Sequence, residues 1–124
     1  MNNVLFCIPL KPGHLPQFKA CVASMYAEKK SEWQTMLARY DISSVKIWHK
    51  ALEGREYAFV YHDVGPNFLE KIQGWENSTH PFDQWFKDQI MAVYDTSAAD
   101  SPANGLFWIW WLNNSRLMGL CARF

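Results

Sequence analysis

The sequence carries no surplus charge of either sign: its 124 residues hold 12 basic and 12 acidic side chains, for a formal net charge of zero. That balance excludes the basic face of a typical nucleic-acid binder, and with it a polybasic membrane anchor. No nucleic-acid and no membrane partner is therefore expected. Cysteine is scarce. Cys7, Cys21 and Cys121 form no C-x-x-C pair, and an odd number makes a poor disulfide framework, so free thiols in a reducing compartment are expected. Long hydrophobic runs are missing too. Val4-Leu5-Phe6-Cys7-Ile8 is too short for a signal-peptide core and has no preceding Lys or Arg. Nothing approaches the ~20 apolar residues of a membrane span, and a soluble cytoplasmic protein is the expectation. The chain has no G-x-G-x-x-G, P-loop, H-E-x-x-H or G-x-S-x-G signature, which removes the commonest nucleotide-binding, zinc-protease and serine-hydrolase classes. Its four His are too scattered for a zinc site. Neither a metal nor another cofactor is expected, and no internal repeat marks a solenoid.

What the sequence has in abundance is aromatic side chains, 16% of the total, with seven Trp, eight Phe and five Tyr. Hydrophobic residues make up 49% and charged ones 19%, which argues against disorder, and the length suits one domain with a real core. Residues 4–10 read as a short buried strand, ended by the turn signal Lys11-Pro12-Gly13. Leu15, Phe18, Val22, Met25, Trp33, Met36, Leu37 and Tyr40 then recur at three- and four-residue steps, the period of one helix face. Unbroken from Pro16 to Asp41, such a helix runs about 39 Å, long for this chain, so a kink or break near Lys29-Lys30-Ser31 is expected. Residues 43–50 and 56–63 are β-rich and flank a short Gly-containing segment, Leu52-Glu53-Gly54-Arg55, which reads as a hairpin. Alternation places Lys46, Trp48 and Lys50 on one face of the first strand and Val45, Ile47 and His49 on the other. Tyr57, Phe59 and Tyr61 share a face of the second.

After Gly65-Pro66 a short helix carries Phe68, Leu69 and Ile72, with Gly74 ending it. Ser78-Thr79-His80-Pro81 offers hydroxyl caps and an early Pro for a further helix with the stripe Phe82, Trp85, Phe86, Ile90 and Val93. A polar loop follows over 95–105, then an aromatic strand, Leu106 to Leu112. Residues 1–112 thus read as one domain, and 113–124 as a tail matching neither element type. The order is β-α-β-β-α-β, the ferredoxin-like α+β arrangement, with an antiparallel sheet and helices on one face. The other face would be an aromatic patch larger than monomers usually expose, from Trp48 or His49, Tyr57 or Phe59, and Trp108 to Trp111. A two-fold homodimer with facing sheets, a dimeric α+β barrel, covers it.

Ser78-Thr79, five residues, then Trp85-Phe86-Lys87 resembles the Ser-Thr-x5-Trp-Trp-Lys stretch of the L-rhamnose mutarotases, small dimeric α+β barrels that interconvert sugar anomers. Trp33 with Leu37 is similar to that family's Trp-x-x-Leu helix motif, and Tyr57-Ala58-Phe59-Val60 sits like its third-strand core. His80-Pro81-Phe82-Asp83-Gln84-Trp85-Phe86 also resembles an uncharacterised bacterial branch of the same superfamily. The resemblance implies a homodimer and a carbohydrate ligand. It also exposes departures. The family's catalytic His, four residues before the Trp, is Lys29 here; counted from Pro12 it falls on Val22. The Tyr lining the sugar pocket falls near Val45, and the second Trp is Phe86.

Lys29, in the apolar stripe between Met25 and Trp33, is either a desolvated acid/base or cation, or a side chain at a helix break reaching water. Anomer exchange needs a proton donor near the ring oxygen and a base near the anomeric hydroxyl, roles open to His49, His80 and Asp83. The competing role for Asp83 is to cap free N–H groups in its helix's first turn. Trp33, Trp48, Tyr57 and Trp85 are the candidate ligand-binding aromatics, with core packing the alternative for the Trp residues. Trp108, Trp110 and Trp111 suit a dimer interface. His14 and His62, at turn edges, are expected to be solvated, and Cys7 to be an inert buried thiol. The chain is thus read as a small-molecule-binding barrel, either a mutarotase-type isomerase with an altered acid/base set or a non-catalytic binding or interaction protein. A cofactor-free oxygenase or haem-binding relative follows from fold analogy alone.

Overall fold

A continuous apolar run, Val4 to Ile8, forms the body of β1 (Asn2–Pro9), and the chain leaves it through Gly13 at φ 77°. The computed structural model describes residues 2–95, 106–113 and 116–123, with side chains described for 3–95. Pro16 starts α1 (Leu15–Tyr26) in the first turn, where an N–H would have no intrahelical acceptor. Phe18, Cys21 and Met25 are its buried face. The helical stripe does not run on unbroken. Ala27 leaves helical geometry at φ −118° and ψ −104°, and the Ser24 carbonyl accepts from the N–H groups of both Ala27, at 3.3 Å, and Lys29, at 2.9 Å. The chain re-enters a helix as α2 (Lys30–Arg39), which buries Trp33 and Met36. The expected break lies at Ala27 to Lys29, just before the lysine pair ends.

β2 (Ile42–Leu52) and β3 (Arg55–Val64) make a hairpin longer than the sequence indicates. Glu53 at φ 52° and Gly54 at φ 78° are both left-handed, so a two-residue turn closes directly on the Leu52–Arg55 pair. Asp41, itself at φ 57°, joins α2 to β2. Its carbonyl accepts from Gly65 N–H at 2.8 Å and its carboxylate from Asn67 N–H at 2.9 Å. A side chain on Gly65 would collide with that carboxylate, which is why glycine stands there. α3 (Phe68–Ile72) and α4 (Pro81–Val93) follow. The cap of α4 is neither Ser78 nor Thr79 but His80, whose Nδ1 accepts from Phe82 N–H at 3.2 Å.

β4 (Leu106–Asn113) and β5 (Arg116–Arg123) complete an antiparallel sheet in the order β2-β3-β1-β4-β5. The segment read as a tail therefore holds a strand, paired with β4 from Leu106–Arg123 to Asn113–Arg116. The first four strands keep the order and directions compatible with a ferredoxin-like fold, and β5 extends its edge. The polar loop expected over 95–105 lies, beyond Asp95, outside the described residues, as do the side chains of Trp108, Trp110 and Trp111.

The sheet has two unlike faces. Val4, Phe6 and Ile8 of β1, Val45 and Ile47 of β2, and Ala58, Val60, His62 and Val64 of β3 face the helices. There α1 packs on α4 and α2, and α2 packs on β2 and α4. On the opposite face the register aligns Cys7, Phe59 and Trp48 in one row and Leu5, Tyr61 and Lys46 in the next. No described helix is long and apolar enough to cross a membrane.

Candidate functional site

The helix layer does not fill the space above the sheet. A cavity of about 110 Å³ remains, lined by Phe6, Ile8, Ile47 and Val60 from the strands, Met25 and Val22 from α1, Trp33, Met36 and Leu37 from α2, Phe68 from α3, and Phe86 and Ile90 from α4. Trp33 and Phe86 form an aromatic wall with ring centres 5.3 Å apart. Val22, Leu37 and Ile72 are half-buried, so the lining continues to the surface.

One titratable ring stands in this hydrocarbon wall. His62 of β3 is only 8% exposed and lies between Val60 and Val64 on the helix-facing side, paired with Val4 and Val45. Phe6 meets its ring edge-on at 5.1 Å, and Phe68 lies tilted against it at 6.3 Å. Its Nδ1 has no hydrogen-bond partner among the described residues. Burial pushes its pKa down to about 4, against the backbone of Val4 and Val60 and the Asp63 charge, which favour the protonated ring. At neutral pH it is an uncharged ring whose Nδ1 is unmet among the described residues. The expectation of a solvated His62 at a turn edge is therefore corrected: the strand continues two residues past it, and its neighbours at two-residue spacing are core valines. Cys7 is also corrected. It is half-buried, on the sheet face away from the helices, while Cys21 is the buried thiol; burial raises both pKa values.

The residues expected to share a site are dispersed. Of the ligand-binding candidates, Trp33 lines the cavity, buried. Lys29 does not enter it: it is the residue before α2, and its Nζ lies 5.0 Å from the centre of the Trp85 ring and 3.7 Å from Glu32 Oε1. Helix interruption turns Lys29 outward, where a cation can rest on an aromatic face and remain hydrated. Trp85, half-buried, packs on Phe82 at 5.4 Å. Trp48 and Tyr57 belong to the opposite face of the sheet, where Trp48 is 45% exposed and stacks on Phe59 at 5.6 Å. Arg55 lies over Tyr57 at 5.8 Å. His49 is exposed on β2, with Nδ1 3.8 Å from Glu56 Oε2, and His80 is occupied as a helix cap.

Asp83 serves neither as first-turn cap nor as a cavity group. It is 2% exposed, and its carboxylate accepts from Arg39, from Tyr40 Oη at 2.6 Å and from Ser78 Oγ at 2.6 Å. Burial raises its pKa, but the hydrogen bonds of Ser78, Tyr40 and Arg39 and the guanidinium charge outweigh that, leaving it below the usual carboxylate value. Burial and the Asp83 bond push Tyr40 up to about 12. The cluster ties the end of α2 to the start of α4. Beside it lies a surface cleft of about 450 Å³ lined by Ser78, Thr79, Gln84, Lys87 and Asp88 among others, and Lys87 Nζ donates to the Glu76 carbonyl at 2.7 Å.

Sequence reasoning missed His62, Arg39 and Tyr40. For His62 a signal existed, the Val-x-His-x-Val alternation from Val60 to Val64. For Arg39 and Tyr40 none did, since nothing local links them to a residue more than forty positions away. No family model matches the chain, and none of the curated proteins matches it.

Proposed function

We propose that the chain is a small-molecule-binding α+β barrel of ferredoxin-like type that acts as a homodimer and holds a compact apolar ligand between sheet and helices without catalysing its conversion. The observation that carries this reading is the cavity walled by Trp33, Phe86 and Met36. Apolar cavities of this kind stay dry and take up apolar guests. Its lining offers too few donors and acceptors for a hydroxyl-rich sugar, and Lys29, His49 and His80 converge on no common point. Benzene is expected to shift the NMR signals of Trp33 and Met36 and raise the melting temperature; no shift at saturating benzene sinks the reading.

Dimerisation is supported by the face away from the helices, where Leu5, Trp48, Tyr57, Phe59 and Tyr61 lie together with nothing described above them. A second copy brings an identical flat aromatic surface to it. Trp48→Glu is expected to weaken self-association at least tenfold, read by sedimentation equilibrium against the wild type. A wild-type chain that sediments as a monomer at high concentration removes the dimer. The two described cysteines, Cys7 and Cys21, are free, in keeping with a reducing compartment such as the cytoplasm.

A second reading, a mutarotase-type isomerase, is favoured by one observation: Ser78, Thr79 and Lys87 of the mutarotase-like stretch line the polar surface cleft. Saturation-transfer NMR of anomer exchange across an aldose panel tests it. Acceleration of any aldose establishes catalysis, and none discards it.

A further inference from the structure

We infer that His62 anchors the ligand of this cavity, and that the ligand is a single-ring apolar molecule carrying one hydroxyl, a phenol in chemical class. The inference rests on the small-molecule-binding reading above and names the ligand for it. Three observations carry it. First, His62 is 8% exposed, lines the cavity, and leaves Nδ1 without a partner among the described residues. A buried ring nitrogen left unmet is costly, and a ligand hydroxyl, which donates or accepts as the imidazole tautomer requires, removes that cost. Second, the walls are flat. Phe6 and Phe68 flank the imidazole, and Trp33 and Phe86 stand together across the helix side, which suits a ring better than a chain. Third, the size is right for one ring. A dry apolar cavity of roughly 150 Å³ admits benzene, and here about 110 Å³ is continued by the half-buried rim at Val22 and Leu37.

Charge narrows the class further. Besides His62, the titratable groups that line the cavity are Cys21 and Tyr94, whose pKa values burial raises, so the lining offers a charged ligand no counter-ion. The imidazole, with its pKa pushed down to about 4, is too weak a base to take a phenolic proton near pKa 10, so the hydroxyl is held intact, hydrogen-bonded to Nδ1.

The test titrates the full chain with phenol and with benzene, following the His62 ring nitrogens by ¹⁵N NMR. Phenol is expected to bind about tenfold more tightly than benzene, about 1.4 kcal/mol, and to move the Nδ1 resonance where benzene does not. In His62→Phe the preference for phenol is expected to vanish while benzene still binds. The nitrogen shift is read in the wild-type chain, so it stands even if that variant fails to fold. Equal affinities with an unmoved Nδ1 overturn the His62 anchor and leave the apolar-cavity reading intact. Failure of both rings to bind overturns both.

Discussion

Asp83→Ala is expected to lower the unfolding free energy by about 3 kcal/mol, near the bottom of the range for removing one partner of a buried ion pair. The carboxylate is 2% exposed and is the shared acceptor for Arg39, Tyr40 and Ser78. Without it a guanidinium, a phenol and a hydroxyl lose their acceptor together. The Arg39 side chain keeps 28% of its surface in water, which softens the loss. Urea unfolding of wild type and variant measures it, and a difference under 1 kcal/mol means the cluster does not hold α2 to α4. The pH dependence has a definite sign. Asp83 has a lowered folded pKa, so its contribution is complete above the unfolded value of about 3.9 and is lost as pH falls through the folded one. Asp83→Asn keeps the shape, and its deficit against wild type is expected to shrink only below about pH 4.

Acidification toward pH 4 is expected to cost about 3 kcal/mol through His62 alone. In the unfolded chain the imidazole takes a proton near pH 6.5, whereas the buried ring resists until about 4. Each unit between the two is worth about 1.36 kcal/mol. The unfolded state therefore binds more protons throughout this window, so stability is complete above it and declines as pH drops through it. His62→Phe removes the group. Its stability relative to wild type is expected to rise steadily from pH 7 to pH 4, with His14, His49 and His80 common to both proteins. Parallel stability curves for the two refute a buried neutral His62. This window lies above the one governed by Asp83, so the two groups are separable in a single pH series.

The two residues also show how far sequence reaches into this structure. Periodicity located the helical stripe, the lysine pair where it breaks, and the hairpin around Gly54, because those features are set by neighbours a few positions apart. The strand-helix order led to the sheet arrangement for the same reason. β5 was hidden because Arg116 to Arg123 lacks a clean alternation and is placed by pairing with β4. In β3 the aromatic row Tyr57, Phe59 and Tyr61 drew attention to one face, and the valines around His62, which mark the other as the core, went unread. Lys29 looked inward by helical spacing, but spacing assumes a continuous helix, and the interruption at Ala27 rotates it out. Asp83 sits where a first-turn carboxylate would cap, and only the long-range approach of α2 gives it other partners.

The position of β1 in the sheet bears on the order of folding. It stands between β3 and β4, yet it precedes both in the chain, and it pairs with β4 through Val4–Trp111 and Leu5–Trp110. The β2–β3 ribbon needs only its two-residue turn to close. During synthesis β1 therefore waits, with the edges of Val4, Phe6 and Ile8 unpaired, until β3 is made, and one edge stays open until β4 arrives. The β1–β4 closure joins the most widely separated strands that pair in the sheet. A ribosome-bound chain lacking β4 exposes the edge of β1, on which another chain can dock, in addition to the β2 edge that the finished sheet keeps.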